Sequence, residues 1–285
     1  MLRFTVITIC MNEERNIDAT IRSVLAQTYI GYEYIIKDGL SKDRTVEIAQ
    51  LYASAFAEKG IPYRIISQSD QGIYDAMNQA VQEAHGEWVL FMNAGDLLAD
   101  ASVLQRVNGE TCMDEADIVY GDTIDRVDDL YLYAKARDLN GMRFEMNFCH
   151  QSCFTRREQL KANPFSLEYR ICSDNHFYLY RYQEGKKFCH IPVTVSVYDR
   201  SGISSNAKLR TQEMISILEK NPVRDEEAII FMKNRMESIC HANLMHRILW
   251  RFIPERIRTM RRLRRKRKQG WKTAEEMFGS GGKDV

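Results

Sequence analysis

The stretch GEWVLFMNAGDLL, residues 86–98, decides the fold class. An apolar run, Trp88 to Met92, leads into a small polar loop that ends at Asp96. Such a run is typical of a strand covered on both faces, as in a parallel sheet flanked by helices. Ligands of such sheets bind beyond the carboxyl ends of the strands, so Asp96 is placed to hold a cation against phosphate oxygens. A strand-to-helix turn, with Asp96 capping a helix near Ala101, explains the aspartate equally well.

Strand and helix patterns alternate along the first hundred residues. Four short runs rich in β-branched and aromatic residues are separated by apolar residues at helical spacing. This βαβαβαβ order predicts an α/β fold with a right-handed, mostly parallel central sheet flanked by helices. The predicted strands are 4–10, 32–37, 62–66 and 88–92, and the predicted helices begin near 17, cover 42–56 and cover 73–84.

Length and composition indicate one large globular domain or one domain with appendages. With 285 residues and 45% hydrophobic content, the chain can bury a sizeable core. The seven cysteines are odd in number and include no CxxC pair. This argues against a disulfide framework and a zinc ribbon, and it favours a reducing cytoplasm. No run of eighteen apolar residues and no cleavage-like site is present, so we expect neither a membrane span nor a signal peptide.

The net charge of +1 hides a strong asymmetry. Residues 247–268 contain eleven Lys or Arg and one acid, a local charge of +10 that leaves −9 on the rest of the chain. Apolar residues are interleaved with the arginines from Leu244 to Leu263. A cationic amphipathic helix of this kind can lie on anionic lipid. The alternatives are a solvated basic helix on the acidic body, and nucleic-acid binding, for which no accompanying fold is visible.

Each predicted strand ends in a polar loop. MNEERN brings Asn12 and Glu13 close to a helix start, and KDGLSKDRT contains an Asp38-Gly39 turn with Ser41 placed to cap the next helix. Turns and caps explain each loop taken alone. All four loops fall at one edge of one sheet, which favours a shared crevice. No GxGxxG turn follows the first strand, which argues against a dinucleotide-binding site. No GxxxxGK[ST] loop is present, which excludes a P-loop.

The third loop leads into a helix. SQSDQGIYDAMNQA places Asp70 and Gly72 before the helix, and Asp75 and Asn78 three residues apart on its polar face. A solvated helix face is the alternative to a ligand site.

Four segments in this order resemble the catalytic domain of family 2 glycosyltransferases, the inverting GT-A enzymes: TVITICMNEERNI, KDGLSKDRTVEIA, SDQGIYDAMNQAV and GEWVLFMNAGDLL. The resemblance is closest to the bacterial branch that builds capsular and colanic-acid-type polysaccharides. It implies residues 1–205 as the catalytic domain, with a nucleotide-sugar-binding half (1–100) and an acceptor half (101–205). A helical extension (206–270) with the basic segment and a disordered tail (271–285) would follow.

The resemblance also implies roles for individual residues. Asp38 would bind the base of a UDP- or GDP-sugar donor, and Asp96 would hold Mg²⁺ or Mn²⁺. Asp174, in YRICSDNHFYLYR, matches the position of the catalytic base, although an aspartate at a helix start is favoured by the helix dipole alone. The remaining residues implied on the donor side are Asn12, Glu13, Asp70, Gly72 and Asn78.

The sequence departs from the family in one motif. Many relatives carry a DxDD-like run where this chain has Asn93, Ala94, Gly95 and Asp96, so a single carboxylate remains. Mg²⁺ is usually bound by substrate phosphates and water together with one or two carboxylates, so a single carboxylate can still form a metal site. His150 and Gln151 match a His-Gln pair that would line the cleft, with a structural histidine as the alternative. Ser201 and Gly202 match a loop near the diphosphate, or form a plain turn after a strand at 193–197.

Two functions from different classes follow. The first is a metal-dependent glycosyltransferase with a lipid-linked or oligosaccharide acceptor, peripheral at the cytoplasmic face of a bacterial plasma membrane. The second is a catalytically silent relative that binds a nucleotide or a partner through its tail. The reduced acidic run favours the second, and the presence of Asp38, Asp96 and Asp174 together favours the first. A glycoside hydrolase would not explain the nucleotide-type loops.

Overall fold

A computed structural model describes residues 2–202, 206–220, 225–250 and 265–278. Within them, ten strands form one mixed sheet. The strands are β1 (Phe4–Cys10), β2 (Tyr32–Asp38), β3 (Tyr63–Ser67), β4 (Trp88–Phe91), β5 (Leu97–Leu98), β6 (Ile118–Val127), β7 (Leu130–Ala134), β8 (Cys153–Arg156), β9 (Phe188–Asp199) and β10 (Lys272–Thr273).

The described helices cover both faces of this sheet. They are α1 (Ile17–Leu25), α2 (Thr45–Gln50), α3 (Ala53–Glu58), α4 (Ile73–Gln82), α5 (Val103–Asn108), α6 (Arg157–Ala162), α7 (Ser173–Gln183), α8 (Ala207–Lys220), α9 (Glu226–Trp250) and α10 (Ala274–Phe278). No helix within the described ranges is long and apolar enough to cross a membrane.

The sheet is mixed, with an all-parallel part formed by β1 to β4. Strand order is β10-β7-β6-β8-β4-β1-β2-β3, with β9 paired to β5 and β6. Strands β4, β1, β2 and β3 are parallel neighbours, whereas β8 runs antiparallel to both β4 and β6. The α/β class is confirmed, and the sheet is mixed: β6 and β9 are also parallel, whereas β5, β7, β8 and β10 have antiparallel partners. The later strands reach the sheet from distant parts of the chain, which local periodicity cannot show.

Strand β4 is buried on both faces, as its apolar run predicts. Val89 and Phe91 pack into one hydrophobic cluster with helices α4 and α7 to α9, while Trp88 and Leu90 pack into a second cluster with α1, α3 and α5. Alternate residues of one strand therefore supply two cores. The carboxyl end of β4 is held firmly between them.

Two predicted caps prove wrong. Helix α5 begins at Val103, and the carboxylate that accepts from the amide near its start belongs to Asp100, 2.8 Å from the nitrogen of Ser102. Asp96 therefore has another role. The stretch 42–56 forms two short helices, and its first amide is capped by Asp43, 3.0 Å from the nitrogen of Thr45. Ser41 instead bonds the Asp38 carboxylate.

The C-terminal part returns to the sheet. Strand β10 pairs antiparallel with β7, and α10 packs on a small cluster containing Ile124 and Tyr131. Trp271 is 7% exposed. Residues 271–278 are therefore ordered, which corrects the expected disorder of this stretch. Most of the basic segment, and residues 279–285, lie outside the described residues.

One pair of cysteines is joined. Cys112, in a short turn after α5, forms a disulfide with Cys189 on β9, and the other five cysteines are free. The sequence argued against a disulfide framework, and the single bond arises because the sheet brings together two cysteines that are 77 positions apart.

Candidate functional site

A cleft of about 1090 Å³ opens beyond the carboxyl ends of β1 and β4. The turn before β8, the start of α7 and the end of β9 close it from the other side. Residues from both halves of the chain therefore line one space. Of the predicted site residues, Glu13, Asp70, Gly72, Asp96 and Asp174 line it.

The loop after β1 is tied to the loop after β2. The Asn12 nitrogen donates to Ser41 Oγ over 2.7 Å, and the Lys42 nitrogen donates to Asn12 Oδ1 over 2.8 Å. The Glu13 nitrogen donates to Thr45 Oγ1 over 2.7 Å. Asn12, with a φ of 57°, is used in shaping the loop and does not line the cleft, whereas Glu13 does.

Asp38 is fully buried beneath the donor-side loops. Its carboxylate accepts from the hydroxyl of Ser41, from the Ser41 nitrogen at 3.1 Å, and from Ser67 Oγ at 2.6 Å. It does not line the cleft. These contacts give Asp38 a role in holding the ends of β2 and β3 together, and a direct contact with a nucleotide base would require the loop to move.

Lys37 is a buried cation that sequence reasoning missed. Its ammonium is 0% exposed and donates to the carbonyl of Asp38 at 3.1 Å, the carbonyl of Gln68 at 2.7 Å and Asp70 Oδ2 at 3.0 Å. All three of its hydrogens have partners. Lys37 thereby fixes Asp70, whose other carboxylate oxygen accepts from the Gly72 nitrogen at 3.1 Å. In the sequence it resembles an ordinary polar residue at a strand end.

Two residues predicted on the donor side, Gly72 and Asn78, have different places in the structure. Gly72 has a φ of 123°, a conformation that glycine adopts without strain, and it starts α4 at the edge of the cleft. Asn78, predicted on the donor side, does not line the cleft. Its amide bonds the backbone of Phe165 twice, donating to the carbonyl at 2.8 Å and accepting from the nitrogen at 2.9 Å. The structure therefore gives Asn78 a structural role.

Asp96 and Asp199 meet at the floor of the cleft. The Asp199 nitrogen donates to Asp96 Oδ1 over 2.8 Å. Arg126 approaches from β6 and donates to the Gly95 carbonyl at 2.7 Å and to Asp199 Oδ2 at 3.1 Å. Gly95, with a φ of 100°, permits the tight turn that presents Asp96. The resemblance singled out Ser201 and Gly202 in this segment, and Asp199 was missed.

The two carboxylates differ in their protonation. Burial raises the pKa of Asp96 to about 8, and the charge of Asp199 adds to the increase. Burial also acts on Asp199, but hydrogen bonds from Ser201 and Arg126 outweigh it and hold the pKa of Asp199 below its ordinary value. A buried acid beside a charged acid is an environment that a cation would relieve.

The residues present fit a divalent metal that also binds a diphosphate. Within the described ranges, no group of three or more His, Cys, Asp or Glu side chains could hold a metal ion. Asn93 Oδ1 is buried beside the cleft without a hydrogen-bond partner. Asp96, Asp199 and this amide oxygen are hard oxygen ligands, and phosphate oxygens and water would complete the set.

Asp174 lines the same cleft as this acidic pair. It is the second residue of α7, and its Oδ1 accepts from the hydroxyl of Tyr74 at 2.8 Å. His150 Nδ1 lies 3.7 Å from Asp174 Oδ2, and His150 Nε2 is buried without a partner. A hydrogen bond from the neighbouring Gln151 lowers the pKa of Asp96 against the effect of burial. The His-Gln pair thus lies between the two aspartates.

The C-terminal segment adds a wall to the same cleft. Lys266 and Trp271 line it, and Lys266 Nζ lies 4.8 Å from the centre of the Trp271 ring. Nothing in the sequence near Trp271 indicated a place in the site.

Comparison with known proteins decides the family. Residues 5–176, more than half of the chain, match Glycosyl transferase family 2. The chain belongs to this family. The matched range ends just after Asp174, so it includes both halves of the cleft but not Asp199 or Trp271.

A curated relative supports the family assignment. The chain is 37% identical over 173 residues to a PGL/p-HBAD biosynthesis glycosyltransferase of Mycobacterium tuberculosis, a match that covers 60% of this chain and 66% of the relative. The chain thus aligns with slightly less than two thirds of the length of that relative.

Solved structures support the GT-A fold. TarS of Staphylococcus aureus, solved with UDP-GlcNAc, has a TM-score of 0.63 at 17% identity, covering 83% of this chain and 73% of that one. The mannosyltransferase PcManGT of Pyrobaculum calidifontis, solved with GDP-Man and Mn²⁺, has a TM-score of 0.62 at 20% identity, covering 82% and 69%. The family 2 chain described here thus has a glycosyltransferase fold.

Proposed function

We propose that this chain is an inverting glycosyltransferase that moves a sugar from a UDP- or GDP-sugar to a saccharide acceptor. The observation that carries the proposal is the arrangement of one cleft. Asp96 and Asp199 lie on its floor, the donor-side loop of Asp70 and Gly72 forms one wall, and Asp174 lines it as well. The solved structures with UDP-GlcNAc and GDP-Man support a nucleoside-diphosphate donor.

The acidic pair is the place for a divalent metal. Asp96 and Asp199 would hold Mg²⁺ or Mn²⁺ together with the donor's diphosphate. When bound, the metal neutralises the charge that develops on the leaving diphosphate. Arg126 contacts Asp199 and the Gly95 carbonyl, and so fixes the turn that presents Asp96.

Asp174 is the general base in this proposal. An inverting single displacement needs a carboxylate that takes the proton of the acceptor hydroxyl while its oxygen attacks the anomeric carbon. Asp174 lines the same cleft as the acidic pair and is firmly held by Tyr74. Its place in the first turn of α7 also satisfies the helix dipole, so the two interpretations made from the sequence are compatible.

The acceptor proposed is lipid-linked, and the pathway is the synthesis of a cell-surface polysaccharide at the cytoplasmic face of the membrane. The support is the basic segment, whose eleven cationic residues are interleaved with apolar ones. Such a segment binds anionic lipid with about 1 kcal/mol per basic residue close to the surface. Residues on both sides of it, Met232 and Arg235 of α9 and Trp271, line the cleft.

A catalytically silent relative is the second candidate, favoured by the loss of acids at Asn93 and Gly95. The contact of Asp199 with Asp96 weighs against it, because the pair restores a second carboxylate to the site.

The test is a panel of UDP-, GDP- and dTDP-sugars with and without Mn²⁺. Binding is followed by calorimetry and slow hydrolysis by release of the nucleoside diphosphate. Wild type is compared with Asp96→Ala and with Asp100→Ala, whose exposed carboxylate caps α5 outside the cleft. We expect one donor to be preferred with metal, with the preference lost only in Asp96→Ala. Binding of a donor without hydrolysis would support the silent relative, and no binding at all would refute the donor site.

A further inference from the structure

The two oxygens of Asp174 have very different surroundings. Oδ1 accepts three hydrogen bonds: from the hydroxyl of Tyr74 at 2.8 Å, from the Asn175 nitrogen at 2.9 Å and from Asn175 Nδ2 at 3.2 Å. Among the described residues, the polar contact found for Oδ2 is with His150 Nδ1, at 3.7 Å. That distance is too long for a hydrogen bond. Oδ1 is therefore saturated, whereas Oδ2 retains its capacity to accept a proton.

The surroundings of Tyr74 keep its hydroxyl protonated, so that it can donate a hydrogen bond. It is 7% exposed and packs against Phe165, with ring centroids 5.5 Å apart. Burial raises the pKa of Tyr74 well above its ordinary value, and the charge of Asp174 adds to the increase. The phenol thus stays protonated, and its hydroxyl donates to Asp174 Oδ1.

Tyr74 also connects two functions of the cleft. It is the second residue of α4 and follows Gly72 by two positions, so the loop proposed to contact the donor continues directly into the helix that holds Asp174. Asp70 at the start of that loop is fixed by Lys37. The donor side and the acceptor side are thereby joined by one hydrogen bond between residues 100 positions apart.

The other groups around Asp174 do not neutralise it. Burial lowers the pKa of His150, and Asp174 only partly opposes this, so the imidazole facing Oδ2 is neutral near pH 7. The thiols of Cys153 and Cys172 have pKa values raised by burial and are also neutral. The phenol of Tyr178 also senses the charge of Asp174, and burial raises its pKa well above its ordinary value. Arg170 and Arg210 line the same cleft, but within the described ranges no Lys or Arg forms an ion pair with Asp174. The carboxylate thus has hydrogen-bond partners but no cation among these neighbours.

We propose that Tyr74 is a positioning residue that holds Asp174 through Oδ1 and makes Oδ2 the oxygen that takes the acceptor's proton. The inference rests on the proposed function, in which Asp174 is the base. In the transfer, the acceptor O–H bond breaks and its proton goes to Oδ2. The acceptor oxygen forms a bond to the anomeric carbon, whose bond to the diphosphate oxygen breaks, and the nucleoside diphosphate leaves with that electron pair.

The test compares Tyr74→Phe with Tyr178→Phe as a matched control. Tyr178 is also fully buried in the same aromatic cluster, but its hydroxyl pairs with Thr155 Oγ1 at 3.0 Å. The readout is hydrolysis of the preferred nucleotide sugar, with water as acceptor, from pH 5 to 9. Loss of one hydrogen bond to a charged group predicts about a ten- to hundredfold fall in kcat for Tyr74→Phe, with the donor KM within about twofold.

The acid limb of the pH–rate profile gives the second readout. A carboxylate that has lost a donor is protonated more easily, so the limb moves to higher pH in Tyr74→Phe and stays in place in Tyr178→Phe. A merely structural effect of the substitution would lower activity without moving the limb. Placing 3-fluorotyrosine at position 74 strengthens the donor and moves the limb to lower pH, which gives a test that does not depend on how well the phenylalanine variant folds.

Asp174→Asn separates the inference from the proposed function. Wild-type hydrolysis by Asp174→Asn would refute Asp174 as the base, and the proposed function with it. Loss of hydrolysis in Asp174→Asn, together with a Tyr74→Phe variant that keeps both the kcat and the acid limb of Tyr178→Phe, would overturn the positioning role alone.

Discussion

The backbone amide of Asp199 donates to the carboxylate of Asp96 over 2.8 Å, although the two residues are 103 positions apart. The contact joins the end of β9 to the turn after β4. It is therefore the pairing of β9 with β5 and β6, rather than a local motif, that completes the acidic floor of the cleft.

Asp199→Asn tests whether this pairing supports metal binding. The change removes a charge beside Asp96 while keeping the backbone donor and most of the shape. Because Asp199 is proposed as a ligand, we expect Mn²⁺ affinity in the presence of UDP or GDP to fall by at least the roughly 10–100-fold that loss of an outer-shell partner costs. Calorimetry with Asp100→Asn as the control measures this. Unchanged Mn²⁺ affinity in Asp199→Asn would remove Asp199 from the metal site.

Lys37→Met tests the buried cation. Lys37 is 0% exposed and its substitution leaves Asp70 and two carbonyls without their donor. Breaking a buried pair in this way costs about 3–5 kcal/mol of unfolding free energy. Urea unfolding of Lys37→Met, Asp70→Asn and the double variant gives the coupling between them. A loss of stability in Lys37→Met no larger than that of a surface substitution would show that the ion pair is weak.

Because the imidazole of His150 is buried, we predict that the protein loses stability in mild acid. Burial lowers the pKa of His150 in the folded chain, so between that value and about 6.5 the unfolded chain binds a proton that the folded chain does not. The contribution of His150 to stability is therefore complete above about pH 6.5 and declines as the pH falls through this window. His150→Phe should flatten the decline, measured by urea midpoints from pH 5 to 8. His85→Gln, at an exposed position, is the control. Equal slopes in all three proteins would contradict the burial effect.

Trp271 tests the C-terminal wall. The side chain is 7% exposed, so Trp271→Ala is expected to cost about 3 kcal/mol of unfolding free energy. Lys272→Ala, at an exposed position of β10, should cost less than about 0.5 kcal/mol. Thermal and urea unfolding of both variants measure the difference. Equal stability would mean that residues 265–278 do not pack on the body as described.

The disulfide gives a prediction that can be checked with a thiol reagent. Cys112 and Cys189 are 77 positions apart, so closing this loop contributes about 4.5 kcal/mol through the unfolded chain. Thiol titration of the unreduced, unfolded protein should find five free thiols. Adding a reductant should lower the urea midpoint in wild type and leave Cys112→Ser/Cys189→Ser unchanged. Seven free thiols in protein kept without reductant would refute the bond and would favour the reducing compartment expected from the sequence.

Local sequence patterns predicted the first four strands well and the residues that line the cleft less well. Strands β1 to β4 follow from runs of apolar residues bounded by turn residues, and so their loops fall at one edge of the sheet. Asp199 could not be found in this way, because its role depends on strand pairing across a hundred residues. Lys37 violates the apolar pattern of a buried strand. Asn78 was misplaced because its partner, the Phe165 backbone, is distant in sequence.

Strand β10 has a consequence for the solubility of the protein. It pairs along β7, the last strand on that side of the sheet. An open strand edge offers unpaired amides and carbonyls to any extended chain, and edges of this kind promote aggregation unless they are covered. The short strand of Lys272 and Thr273 covers part of that edge. A chain cut before residue 265 would expose it, and would be expected to self-associate as well as to lose a wall of its cleft.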